Sequence, residues 1–115
     1  MARYYAIDEA NARLAELGPL LEELRADRDK VAELQAELQR GRETNGSGEH
    51  AELLARQESE LRHTVRRMQR AVLQIEEWGV TLRDIGSGLI DFPALASGRP
   101  IWLCWRLGEG GAIGW

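Results

Sequence analysis

Cysteine is almost missing from this chain. Cys104 is the only one in 115 residues, so neither an intramolecular disulfide nor a multi-cysteine zinc site can form, and a secreted disulfide scaffold is excluded. An excess of cations is missing too: 15 Lys and Arg stand against 19 Asp and Glu, a net charge of −4. That balance disfavours a nucleic-acid partner, whose binding rests on positive charge. No run approaches the ~18 apolar residues that a membrane span needs, and Met1 to Glu9 lacks the basic-then-apolar plan of a signal peptide. A soluble, cytoplasmic protein without a membrane partner is expected. Histidine is confined to His50 and His63, and the chain has no Walker loop, dinucleotide fingerprint or zinc-protease helix motif.

What is present divides into two unlike parts. Residues 1–79 hold 12 basic and 16 acidic residues, whereas residues 80–115 hold 3 and 3, with three of the four tryptophans. The first part reads as a long helical hairpin whose connection is the glycine-rich segment 41–48. Asp8 is the expected N-cap of the first helix, and Gly18-Pro19 predicts a kink or a restart. Leu14, Leu17, Leu21, Leu24, Arg28, Val31, Gln35 and Leu38 form a heptad seam with two polar breaks. Leu54, Glu58, Leu61, Val65, Met68, Val72 and Ile75 repeat it in the second helix, with Gly79 as its stop. An antiparallel register pairs Leu38 with Leu54, Val31 with Leu61, Leu24 with Met68 and Leu17 with Ile75. The same register sets Gln35 opposite Glu58, where a hydrogen bond would satisfy both. It also sets Glu22, Glu23, Asp27 and Asp29 opposite Arg62, Arg66 and Arg70. That arginine row, with Arg67 and His63 beside it, reads as interhelical ion pairing or as an anion footprint.

After Gly79 the period turns extended. Residues 80–85, 89–92, 101–107 and 112–115 predict a four-stranded antiparallel meander, with glycine and proline in the separators 86–88, 93–100 and 108–111. The fold class is therefore α+β: a coiled-coil-like antiparallel hairpin over 1–79, then a small sheet over 80–115 packed on its open end near Leu14, Leu17, Ile75 and Trp78. Alternation sends Ile101, Leu103, Trp105 and Leu107 to one face and Trp102, Cys104 and Arg106 to the other.

Glu9-Ala10-Asn11 with Leu14 and Leu17, Gly79-Val80, Gly88-Leu-Ile-Asp-Phe-Pro93, Gly98-Arg99 and Leu103-Cys-Trp-Arg-Leu-Gly-Glu109 resemble a small bacterial domain family of unknown function, sometimes labelled division-initiation proteins. The resemblance implies no activity. It implies a continuation past the position of Trp115, with a histidine, a glutamate and a Gly- and Arg-containing tail, absent from this sequence. Gly18-Pro19 stands where the family tends to have Leu-Pro.

Candidate site residues follow from these patterns. Cys104 is a packing residue, a nucleophile or a weak candidate metal ligand, but neither histidine is placed to serve it as a base. Asp91, in an apolar strand, demands a partner, and Arg106 or Arg99 is expected to supply it, as a structural salt bridge or an anion-binding pair. Trp102, Trp105 and Trp115 form either the core of the sheet or an aromatic cage. The expected function is a self-associating structural or interaction module, a homodimer through leftover apolar positions Leu20, Leu34, Leu53 and Leu73, with no cofactor. The alternative is a small-ligand or metal-binding module on the face of Asp91, Trp102, Cys104 and Arg106. An enzyme of unstated reaction is a third reading.

Overall fold

A computed structural model describes residues 3–43 and 48–110. Helix α1 (Ile7–Arg42) and helix α2 (Gly48–Glu77) form an antiparallel hairpin, followed by strands β1 (Thr81–Asp84), β2 (Leu89–Ala96) and β3 (Arg99–Trp105). The strands make one antiparallel sheet in the order β1-β2-β3. The molecule is elongated, 67 × 28 × 20 Å. Among the described residues no helix is long and apolar enough to cross a membrane.

The helix ends correct one expectation and meet another. Asp8 is not the N-cap: Ala6 holds that position, and its N–H donates to Glu9 Oε1 at 3.1 Å. The helix thus starts two residues earlier, at Ile7, and Asp8 and Glu9 fall in its first turn, where their charge favours the amino-terminal dipole. Gly79 stops α2 with φ of +75°, its N–H reaching Glu76 O while the Val80 N–H reaches Ile75 O. Those two bonds satisfy carbonyls that the helix end leaves open.

Gly18-Pro19 does not break α1, which runs unbroken through Pro19. Proline deprives the Ala15 carbonyl of its helical donor, and both residues are exposed, so water can satisfy it. The seam also differs from a strict heptad. Leu14, Leu17, Leu21 and Leu24 are buried as predicted, but Asp27 and Leu34 are buried in place of Arg28 and Gln35, with Leu38 completing the row. Exposed Arg28 pairs with neighbouring Asp29 at 3.2 Å, whereas Asp27 finds Arg67 across the hairpin. Apolar Leu34 supplies burial that Gln35 would supply only at the cost of its amide. No Gln35–Glu58 bond forms: Gln57 donates to Glu37 at 2.9 Å, and Glu58 meets Arg42 at 3.6 Å.

The sheet turns its inner face to the hairpin. Ile90, Phe92, Ala94, Leu103 and Trp105 join Tyr5, Ala10, Leu14, Leu17, Leu21, Leu24, Ile75 and Val80 in one core, with Trp78, Leu20 and Met68 partly buried against it. Leu34 and Leu38 are buried outside that cluster, between the helices alone.

Segment 93–100 is not a separator. β2 continues through Pro93 to Ala96, and the turn is only Ser97-Gly98, both at positive φ, a two-residue hairpin that matches strand twist. Pro93 is tolerated in the middle strand because its carbonyl accepts the Tyr5 N–H at 2.7 Å. In an antiparallel strand a residue's N and C=O point to the same side, so the missing N–H faces Tyr5 rather than β3. The expected fourth strand at 112–115 lies outside the described residues.

Candidate functional site

The outer face of the sheet is where sequence reasoning placed its candidates. By alternation Asp91 shares that face with Pro93 and Leu95 of β2, Trp102 and Cys104 of β3, and Arg83 of β1. Asp91 and Cys104 are directly opposed in the β2–β3 register. Because Pro93 points its backbone groups away from β3, Asp91 does too, and such non-hydrogen-bonded pairs hold their side chains closest.

Both carboxylate oxygens of Asp91 are engaged. Arg83 Nε donates to Oδ2 at 2.6 Å, and Cys104 Sγ donates to Oδ1 at 2.7 Å. Asp91 is 6% exposed, and this pairing is what a buried carboxylate requires. The Arg83 guanidinium also lies 5.2 Å from the centre of the Trp102 ring, within cation–π range. Trp102 is 54% exposed. Beside it a cleft lined by Tyr4, Pro93, Pro100 and Trp102 opens between the sheet and residues 3–4.

Several expectations are corrected here. The partner of Asp91 is Arg83, not Arg106 or Arg99. Arg106 lies past the end of β3 and pairs with Glu109 at 3.4 Å, so it does not join the row. Cys104 is exposed rather than packed as a small core residue. Trp102 and Trp105 face opposite sides of the sheet and cannot form a cage together. Trp105 is buried and its Nε1 donates to Gly110 O at 2.9 Å, while Trp115 lies outside the described residues. Arg83 went unnoticed in the sequence, although its place two residues after Thr81, which pairs with Asp91, puts it diagonal to Asp91 on the same face.

The electrostatics limit the chemistry. The hydrogen bond to Asp91 holds the Cys104 thiol above its ordinary pKa, with desolvation and the charges of Asp91 and Glu109 adding to the effect against the opposing pull of Arg83. A thiol so held is a weaker nucleophile and metal ligand than a free one at neutral pH. Neither histidine serves it: His50 Nε2 lies 2.8 Å from Gly41 O at the hairpin loop, and His63 is exposed in the middle of α2. Among the described residues no group of three or more His, Cys, Asp or Glu side chains is placed to hold a metal ion.

A second polar cluster lies between the helices. Arg67 donates to both carboxylate oxygens of Asp27, at 2.9 Å from Nε to Oδ2, and lies 3.8 Å from Glu23. The hydrogen bond and charge of Asp27 raise the pKa of the guanidinium. This residue, rather than Arg62, Arg66 or Arg70, makes the interhelical pair with the acids of α1. The register of the hairpin is further marked by Lys30 with Glu60 at 2.5 Å.

No curated protein and no solved structure matches the chain. The family model described as an uncharacterized conserved protein, DUF2203, matches residues 3–115, and with nearly its whole length covered the chain belongs to that family.

Proposed function

We propose that this protein is a non-enzymatic interaction module that associates with a second copy of itself through the hairpin. The observation that carries this reading is the incomplete cover of α2. Only Thr64 and Ile75 of that helix are buried, while Leu54, Leu61, Val65, Met68 and Val72 are half-buried and Leu53 is 43% exposed. Two helices have too little surface to enclose a seam between them, and pairing hairpins into a four-helix arrangement removes more apolar area from water. Of the four positions expected to remain for such a contact, Leu34 is buried within the hairpin and Leu20 packs against the core, so exposed Leu53 and Leu73, with the half-covered seam, are what a second copy would meet. A reducing cytoplasm suits the exposed, unpaired Cys104.

Sedimentation velocity at high micromolar concentration tests the proposal. The wild type is expected at twice the 13.0 kDa chain mass, and Leu53→Glu is expected to shift it to the monomer with its helical content intact. A strictly monomeric wild type contradicts the reading.

The alternative, a small-ligand or metal-binding module, draws on the Asp91–Cys104 contact beside exposed Trp102. With Arg83 already on Asp91, it needs donors beyond these residues. Equal heats for the wild type and Cys104→Ser in a zinc titration would remove its metal form.

A further inference from the structure

The structure leaves one strongly charged surface unused. Arg62, Arg66 and Arg70 are exposed on α2, and none of them makes an ion pair among the described residues, because Asp27 and Glu23 are taken by Arg67. They stand at intervals of one helical turn, about 6 Å apart along a line of about 12 Å. From Leu61 to Ile75 the helix holds no acidic residue and four arginines, in a chain whose net charge is −4. Leu73, 57% exposed, continues the same helical face one turn beyond Arg70.

We propose that this face of α2 is a docking surface for an acidic, amphipathic protein segment, one with carboxylates at turn-length intervals followed by one apolar side chain. Charge complementarity selects the occupant. Three guanidiniums in line present forks to carboxylates spaced as on a helix. Leu73 offers the apolar contact that a peptide side chain uses and a phosphate backbone does not. The stripe is short and closed at both ends by acids, Glu60 on one side and Glu76-Glu77 on the other. With Glu60 neutralised by Lys30, it is Glu76 and Glu77, together with the net negative charge, that repel a long polyanion or an anionic bilayer extending past the stripe, leaving room for a segment of about three turns. Arg62 and Arg66 lie on the side of α2 away from the seam with α1, while Arg70 also lines a cleft with Glu23 and Asp27. Leu73 is shared with the positions open to self-association, so the test separates the two occupants.

The test uses the full chain and a fluorescent 15-residue helical peptide carrying glutamate at three successive four-residue intervals and a leucine three residues beyond the last. Anisotropy should report binding that weakens steadily with salt. Arg62→Ala/Arg66→Ala/Arg70→Ala should weaken it at least tenfold and Leu73→Ser several-fold, with the circular dichroism spectrum unchanged. The charge-matched triple Arg25→Ala/Arg40→Ala/Arg56→Ala should retain binding. Equal loss in both triples would show a response to net charge alone and overturn the proposal. So would tighter binding of a 20-base-pair DNA duplex or of phosphatidylserine vesicles than of the peptide. Native mass spectrometry of the first triple separates the remaining occupant: conversion of a wild-type dimer to monomer would assign the stripe to a second copy, also overturning the proposal, whereas an unchanged subunit count supports it.

Discussion

Cys104 donates its thiol hydrogen to Asp91 across a directly opposed pair of β2 and β3, and Asp91 in turn accepts from Arg83. The thiol is held in its protonated form by a neighbour whose own charge is neutralised from the other side. Thiolate absorbance during a pH titration should therefore rise at a higher pH than that of free cysteine in the same buffer. Asp91→Asn should bring the midpoint down. A group whose pKa is higher in the folded state stabilises the fold at low pH and loses that contribution as pH rises through the folded value, so the wild type should lose stability on the alkaline side relative to Cys104→Ser.

Arg83→Ala leaves the Asp91 carboxylate buried beside Cys104 alone. We expect a loss of about 1–2 kcal/mol in urea unfolding, since a buried acceptor loses its charged donor while the exposed half of Arg83 limits the cost. Arg99→Ala should cost under about 0.5 kcal/mol, as for an ordinary surface change.

Asp27 and Arg67 should behave as a unit. Arg67→Met alone strands a carboxylate that is 4% exposed and is expected to lower stability in urea unfolding, by less than the loss of a fully buried pair because Arg67 itself is partly solvated. Asp27→Leu combined with Arg67→Met should recover most of that loss. Additive losses in the double variant would contradict the coupling.

Leu24→Ala should destabilise by ~2–5 kcal/mol, because Leu24 is 1% exposed at the junction of helices and sheet. Leu61→Ala, at a half-covered position, should cost about 1 kcal/mol in dilute solution, where monomers prevail. A larger loss at Leu61 when the protein is concentrated would itself report burial against a second copy.

The hairpin was legible because leucine spacing and the glycine-rich connection state it directly, and the meander because glycine marks its turns. The failures share a cause: each depended on which side of an element a polar group takes. Asp27 or Arg28 could enter the seam with nearly equal apolar spacing, and only the position of Arg67 on the other helix decides. Pro93 reads as a strand breaker until Tyr5, far away in sequence, turns out to occupy the edge toward which proline lacks a donor. Arg83 escaped notice because its value to Asp91 arises from strand pairing, not from any local motif. The arginine row of α2 was visible, but its lack of a partner became evident only when Arg67 claimed the acids of α1.

The short segment before α1 has a further consequence for how the chain assembles. Tyr5 binds β2 through Pro93, and its hydroxyl donates to the Trp78 carbonyl, 73 residues away. These contacts close long loops that span most of the chain, and loops of that length are slow to close. During synthesis Tyr5 emerges before either helix yet has no site until β2 has left the ribosome. The helices are thus expected to pair early and rapidly, with the apolar row from Ala10 to Leu24 still bare on the side the sheet will cover. Docking of Tyr5 would come last, making this short piece of chain a reporter of completed folding: its fluorescence should lag behind the helical signal in a refolding experiment.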